Sequence, residues 1–184
     1  MKVFIIGTGN VALALGKAFS AAGHSITGVF GRSEKKVMSL SKKFNCKGVT
    51  EPEKIPLLSD VYIVAISDDA IEKIAEVLPS VKGVVAHTAG AASIMLLKKF
   101  SNYGIFYPVE TITKNHRGNF KNIPICIEAS GEATLKKLMQ LANSISEEVY
   151  SINSDQRAIL HVAAVLTNNF TNAMLGIGSA RKAD

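Results

Sequence analysis

The 184-residue sequence predicts an α/β fold: a doubly wound, mostly parallel sheet, followed by the first helix of an all-α second domain. Three observations carry that prediction. A short apolar run at Val3–Ile6 ends in the glycine-containing turn GTGNVA, residues 7–12, and a helix-like segment follows. Strand-like and helix-like patterns then alternate through residue 100, as they do where parallel strands are joined by crossover helices. Near the end, residues 155–175 form one long apolar helical stretch unlike anything before it.

The elements can be justified in order. Val3 to Ile6 is apolar at every position, as a strand covered on both faces should be. The segment VALALGKAFSAAG has helical spacing, with Gly23 as its stop signal. A second strand, Ser25 to Phe30, leads into Gly31-Arg32-Ser33 and a lysine-bearing helix, and a short third strand is expected near Gly48-Val49-Thr50. Asp60 to Ile66 reads as a buried strand, followed by Ser67-Asp68-Asp69 and a helix through Leu78 that Pro79 closes. Val81 to Ala86 is a further strand opening into His87-Thr88-Ala89-Gly90, with a helix expected over Ala91–Phe100. The alternation then loosens into a strand at Tyr103–Tyr107, a polar loop over 111–122, a strand at Ile123–Ile127, a helix at Glu132–Ser144 and a strand at Glu148–Ile152.

A domain boundary is placed there, with residues 1–152 in the first domain and 153–184 beginning the second. In the helix from Asp155 to Leu175, residues Ile159, Leu160, Val162, Val165 and Leu166 put apolar groups all around the circumference, which predicts burial on every side. Gly176 and Gly178 are expected to interrupt it. The expected cover is a second copy of the chain, in a homodimer, or further helices of the same domain.

Composition excludes several classes. With 47% apolar residues, 20% charged residues and mean hydropathy +0.21, the chain is neither a disordered tail nor a linker. No run of 18 apolar residues is free of polar interruption, which argues against a membrane span. Met1-Lys2 leads directly into a strand, so a cytoplasmic location is expected. Cys46 and Cys126 lack metal-ligand spacing, and no metal is expected. The net charge of +6 resolves into one cluster, since residues 32–47 hold Arg32 and five lysines against Glu34 alone. With no Trp, 7% aromatic residues and no recognition motif, a nucleic-acid partner is not expected.

GTGNVA fits the dinucleotide fingerprint G-x-G-x-x-A. Gly7 permits the tight turn, Gly9 lets the backbone approach a pyrophosphate, and Ala12 allows close helix–strand packing. Thr8, Asn10 and Val11 complete the loop, and the helix N-terminus behind it favours anions. An acidic residue about 20 positions beyond the motif would bind the ribose hydroxyls of NAD. Here Arg32 and Ser33 stand at that place, with Lys36 close behind, so the cofactor expected is NADP.

Ligands of open α/β sheets bind beyond the carboxyl ends of the strands. That rule singles out Ile66 and Ser67, His87 and Thr88, and Tyr107-Pro108. Ile66, Ser67, His87 and Thr88 are assigned to cofactor contact. His87, at the end of an apolar strand, could hold the carboxamide or relay a proton; packing is the alternative. His161 and Asn168 lie seven residues apart on one face of the long helix and are the other catalytic candidates, with helix-fixing hydrogen bonds as the alternative.

Taken together, GTGNVALALGKAF, the GRS after the second strand, AISDDAI and HTAG resemble the Rossmann-like oxidoreductases related to pyrroline-5-carboxylate reductase and deazaflavin-dependent NADP reductase. From IPICIEAS through RAILHVAAVLTNNF the chain resembles a subfamily carrying a helical C-terminal domain of unknown function. The resemblance implies NADP at Gly7, Gly9, Asn10, Val11, Arg32 and Ser33, and a dimer intertwined through the helical domain. The function expected is hydride transfer between NADP and a small C=O or C=N substrate; a non-enzymatic NADP(H)-binding module is the alternative.

Overall fold

The computed structural model describes residues 1–167 in full and the backbone as far as Ala180. Eight strands form one sheet: β1 (Lys2–Ile6), β2 (Ser25–Phe30), β3 (Lys47–Val49), β4 (Val61–Val64), β5 (Val84–His87), β6 (Tyr103–Pro108), β7 (Ile125–Ala129) and β8 (Val149–Ser151). Their order is β3-β2-β1-β4-β5-β6-β7-β8, and every neighbouring pair is parallel except β6 with β7. The antiparallel exception falls where the sequence pattern loosens. The chain begins in the middle of the sheet, runs outward through β2 and β3, then crosses back to β4. A crevice therefore opens beyond the carboxyl ends of β1 and β4, at the point where the strand order reverses.

Alternation along β1 divides the core. Val3 and Ile5 pack with α1 (Asn10–Ala21) and α4 (Glu132–Asn143) on one face, where α2 (Glu34–Phe44) joins through Leu40. Phe4 and Ile6 pack with Ile71 and Ala75 of α3 (Ile71–Val77) on the other. A smaller cluster of Ile94, Ile105, Tyr107 and Cys126 receives Leu160 of α5 (Ser154–Ala180). This is where the long helix docks on the sheet.

Three expectations are corrected. The helix expected over Ala91–Phe100 is a short 3₁₀ turn, Ile94–Leu97. Its apolar residues Ile94, Leu97 and Phe100 are buried and recur every three positions, which suits three residues per turn. Successive i to i+3 bonds follow, from Leu96 N to Ser93 O, Lys98 N to Met95 O and Phe100 N to Leu97 O. Lys99 then ties the segment to the carbonyls of Glu76 and Leu78 at the end of α3.

Gly176 and Gly178 do not interrupt α5, whose backbone stays helical to Ala180. Each glycine weakens a helix by about 1 kcal/mol without breaking it. Nor is α5 buried all round. Arg157 is buried and Leu160, His161 and Ala164 are half-buried, whereas Ile159, Val162, Val165 and Leu166 are exposed. Among the described residues, no helix is long and apolar enough to cross a membrane.

Candidate cofactor and substrate site

A cavity of about 540 Å³ occupies the crevice. Its walls are the turn after β1 (Gly7, Thr8, Gly9, Asn10 and Val11), the end of β2 (Phe30–Arg32), the end of β4 (Ala65–Ser67) and the start of α3 (Ala70, Lys73, Ile74). Ile112 closes one side, held there because Asn10 Nδ2 donates to its carbonyl at 3.3 Å.

Two glycines shape the turn differently. Gly7 adopts φ +130, and a Cβ built on it would lie 2.0 Å from the Ala65 carbonyl oxygen. Its N–H donates to Phe30 O at 2.8 Å, so one residue locks the turn against β2 and β4. At Gly9 a Cβ would meet nothing within 4 Å. That bare surface faces open cavity at the N-cap of α1, a helix of 12 residues with no side-chain cap. The first-turn N–H groups are thus available to an anion. Backbone approach, helix N-terminus and the Arg32 guanidinium on the same wall fit a dinucleotide with a 2′-phosphate.

All five loop residues expected at the cofactor, Gly7 to Val11, line this cavity, together with Arg32, Ile66 and Ser67. Ser33 and Lys36 do not; Ser33 is the N-cap of α2 and Lys36 an exposed residue of its first turn. Lys73 also lines the cavity, a residue the sequence pattern did not single out. Its signal was the spacing of Ala70, Lys73 and Ile74, which share a face of the helical segment after β4.

At His87 the structure shows the packing arrangement that was the alternative to cofactor or proton chemistry. It is fully buried, accepts at Nδ1 from the Ala89 N–H (3.2 Å), and donates from Nε2 to the Ser93 carbonyl (3.3 Å). Burial holds its pKa down to about 4; the bond to Ser93 works against that and the Arg157 charge reinforces it. With both ring nitrogens engaged and the ring neutral, His87 shapes its loop and has no free atom to relay a proton. Thr88 does not line the cavity, and its N–H completes the sheet edge on Val64 O.

At the next strand end, helix α5 meets the loop after β5. Arg157, 2% exposed, donates from Nη1 to Gly90 O at 2.6 Å and from Nε to Glu128 Oε2 at 3.2 Å. Ser154 Oγ donates to the other Glu128 oxygen at 2.6 Å. One turn along, His161 Nδ1 shares a 3.0 Å hydrogen bond with the Tyr107 hydroxyl, the rings standing edge to face. Asn168 lies outside the described residues, so its grouping with His161 rests on helical spacing alone.

Comparison with known proteins agrees with this arrangement. Residues 2–90 match the family model described as NADP oxidoreductase, coenzyme F420-dependent. Residues 123–182 match a domain of unknown function. Among solved structures, one named as an NADP oxidoreductase from Bacteroides fragilis is 33% identical with TM-score 0.86, covering 96% of this chain and 70% of its own. A Thermotoga maritima protein is 21% identical with TM-score 0.76, covering 94% of this chain and 66% of its own. A Plasmodium falciparum pyrroline carboxylate reductase, solved with NADP bound, is 14% identical with TM-score 0.74, covering all of this chain and 70% of its own. The last two carry the likeness of fold alone. A search of the curated proteins finds no match.

Proposed function

Because this chain belongs to the NADP oxidoreductase family described as coenzyme F420-dependent, we propose that it moves a hydride between NADP and a small substrate bearing a C=O or C=N group. NAD(P)-dependent oxidoreduction is the family's chemistry; the substrate class is our inference. The observation that supports it most is the form of the cavity. Polar backbone and Arg32 form part of the wall, and Ala65, Ile66, Ala70 and Ile74 give it an apolar part beside Ser67 and Lys73.

In this reading each residue has a task. Gly9 and the first-turn N–H groups of α1 hold the pyrophosphate, while Thr8, Asn10 and Val11 shape the wall around it. Arg32 pairs with the 2′-phosphate, beside which Ser33 offers a hydroxyl; Lys73 adds charge at the cavity wall, and Lys36 contributes field from outside it. Ile66 and Ser67 hold the nicotinamide half against the edge of β4. When bound, NADPH supplies the hydride, and the protein supplies orientation and exclusion of water.

Residues 1–152 form the cofactor domain in this proposal and residues from 153 the start of a helical one. The exposed apolar face of α5 supports a second copy of the chain as its cover.

The test is NADPH consumption by the full-length protein against a panel of small keto and imino acids, beside direct titration with NADPH and NADH. Tight NADPH binding with turnover of at least one such compound is expected. Binding without turnover across the whole panel would remove the hydride-transfer reading and leave a cofactor-binding module.

A further inference from the structure

Three elements converge at the chemical end of the sheet, and the cofactor contacts do not account for them. Val64, His87 and Ile105 stand in register on β4, β5 and β6. Ser67, Gly90 and Tyr107 follow that row by three, three and two residues. All three therefore lie about 7–10 Å beyond it along the chain, on the carboxyl edge of the sheet, where Ser67 lines the cavity and Gly90 and Tyr107 lie outside its lining. Against this edge α5 sets Arg157 and His161, so that His161 Nδ1 meets the Tyr107 hydroxyl.

The fit is close. A Cβ at Gly90 would lie 2.3 Å from His161 Nδ1 and 2.7 Å from Tyr107 Cζ, so only glycine lets both rings reach this point. Arg157 anchors the same loop from the same helix and is itself fixed by Glu128. The pair is thus held by buried structure from behind, as a preorganised acid–base group requires.

From this geometry we propose that Tyr107 hydrogen-bonds and protonates the reducible C=O or C=N group, with His161 as the positioning residue that replaces its proton. The proposal rests on the hydride-transfer reading above. In the reducing direction the hydride and its electron pair form a C–H bond at the electrophilic carbon. The π pair of the C=O or C=N bond takes the phenolic proton at O or N, and the nicotinamide is left oxidised. His161 then passes its Nδ1 proton to the phenolate and takes one from solvent at its other ring nitrogen. The sum is substrate, NADPH and one proton giving reduced product and NADP.

The surroundings suit that task. Burial raises the Tyr107 pKa above its ordinary value; Cys126 on β7 and Asp68 after β4 act the same way and Arg157 opposes them. The phenol accordingly keeps its proton at neutral pH and serves as a donor.

Acetamide provides a probe, since its carbonyl accepts a hydrogen bond and takes no hydride. It is titrated into the NADPH complex of the full-length protein, followed by nicotinamide fluorescence. Tyr107→Phe should weaken acetamide about tenfold, the scale of one lost hydrogen bond, and leave NADPH affinity within about twofold. His161→Leu should weaken it as well, whereas His161→Asn, which keeps a polar group near Nδ1, should restore it. Binding should also fade at alkaline pH as the phenol ionises, with burial, Cys126, Arg157 and Asp68 setting where. An NADPH complex that ignores acetamide, or a Tyr107→Phe protein that binds it like the wild type, overturns the proposal. A chain that binds no NADPH overturns the cofactor reading beneath it, and this proposal with it.

Discussion

The two glycines of the phosphate loop allow structure and cofactor binding to be separated by adding one methyl group at a time. In Gly7→Ala the new Cβ would sit 2.0 Å from Ala65 O and 2.8 Å from Ala65 C, both backbone atoms at the end of β4. The side chain would also have to accept φ +130, a strain of about 1–3 kcal/mol before any clash. Relief requires moving β4 or breaking the Gly7 N–H bond to Phe30 O, so a total loss of about 3–5 kcal/mol is expected. Gly9→Ala differs in kind, because its Cβ would meet nothing and its φ is −84. Losing glycine at an N-cap costs about 0.5–1 kcal/mol, and the stiffer unfolded chain returns a similar amount. Stability should therefore change little. The methyl group stands where a pyrophosphate must approach, however, and NADPH affinity should fall by at least about tenfold. Urea unfolding and fluorescence titration on both variants decide the matter. A Gly9→Ala protein that keeps its NADPH affinity would refute the placement of the pyrophosphate.

Arg32→Ala should weaken NADPH by about tenfold and leave NADH nearly unchanged, a modest figure because the guanidinium is exposed and screened; equal effects on the two cofactors in titration would unseat it. Arg157→Met should destabilise the fold by about 3–5 kcal/mol by stranding Glu128 and Gly90 O, and Glu128→Gln in the same chain should recover part of that in urea melts. His87 lies below its ordinary pKa in the folded state, so below about pH 6.5 the unfolded chain takes up its proton first and stability falls. The expected loss is ~2 kcal/mol between pH 6.5 and 5, ending near pH 4 where folded His87 itself protonates, and His87→Gln should flatten it. Since burial and the nearby amino terminus also lower His24, a residual slope should survive in that variant. Val162→Glu with Leu166→Glu should reduce the apparent mass in size-exclusion chromatography if a second copy covers α5; a wild-type chain that elutes as a monomer excludes that partner.

How much was legible divides along the sheet. The half from β1 to β4 reads directly from sequence because its signals are local. An apolar run, a glycine turn and a helix stop each lie within a few residues of the element they define, although the conformation of Gly7 is enforced by Ala65 and Phe30 on the neighbouring strands. The 3₁₀ turn at Ile94–Leu97 misled the helix expectation because a period of three over ten residues differs little from 3.6. His87 misled for another reason. Its place at a strand end suggested chemistry, but whether both nitrogens are engaged depends on where Ser93 comes to lie, and that follows from the turn just misjudged.

The chemical end of the site was harder to see because it is assembled from distant segments. Tyr107 and His161 are 54 residues apart, and Arg157 is 67 residues from the carbonyl it holds. No spacing rule links them, and the helix that brings them together looked from its composition like a buried element. Its actual asymmetry is the informative part. The face carrying Arg157, Leu160 and His161 is the one that packs, while Ile159, Val162, Val165 and Leu166 are left outside. An apolar helix that turns its arginine and histidine inward and leaves four large apolar side chains exposed inverts the usual pattern of a surface helix. That inversion makes sense if the inward face serves the sheet edge and the outward face meets another protein surface. The same logic narrows the basic cluster that set the net charge. Of its six cations only Arg32 borders the cavity, so it alone of the cluster is placed to meet a phosphate bound there.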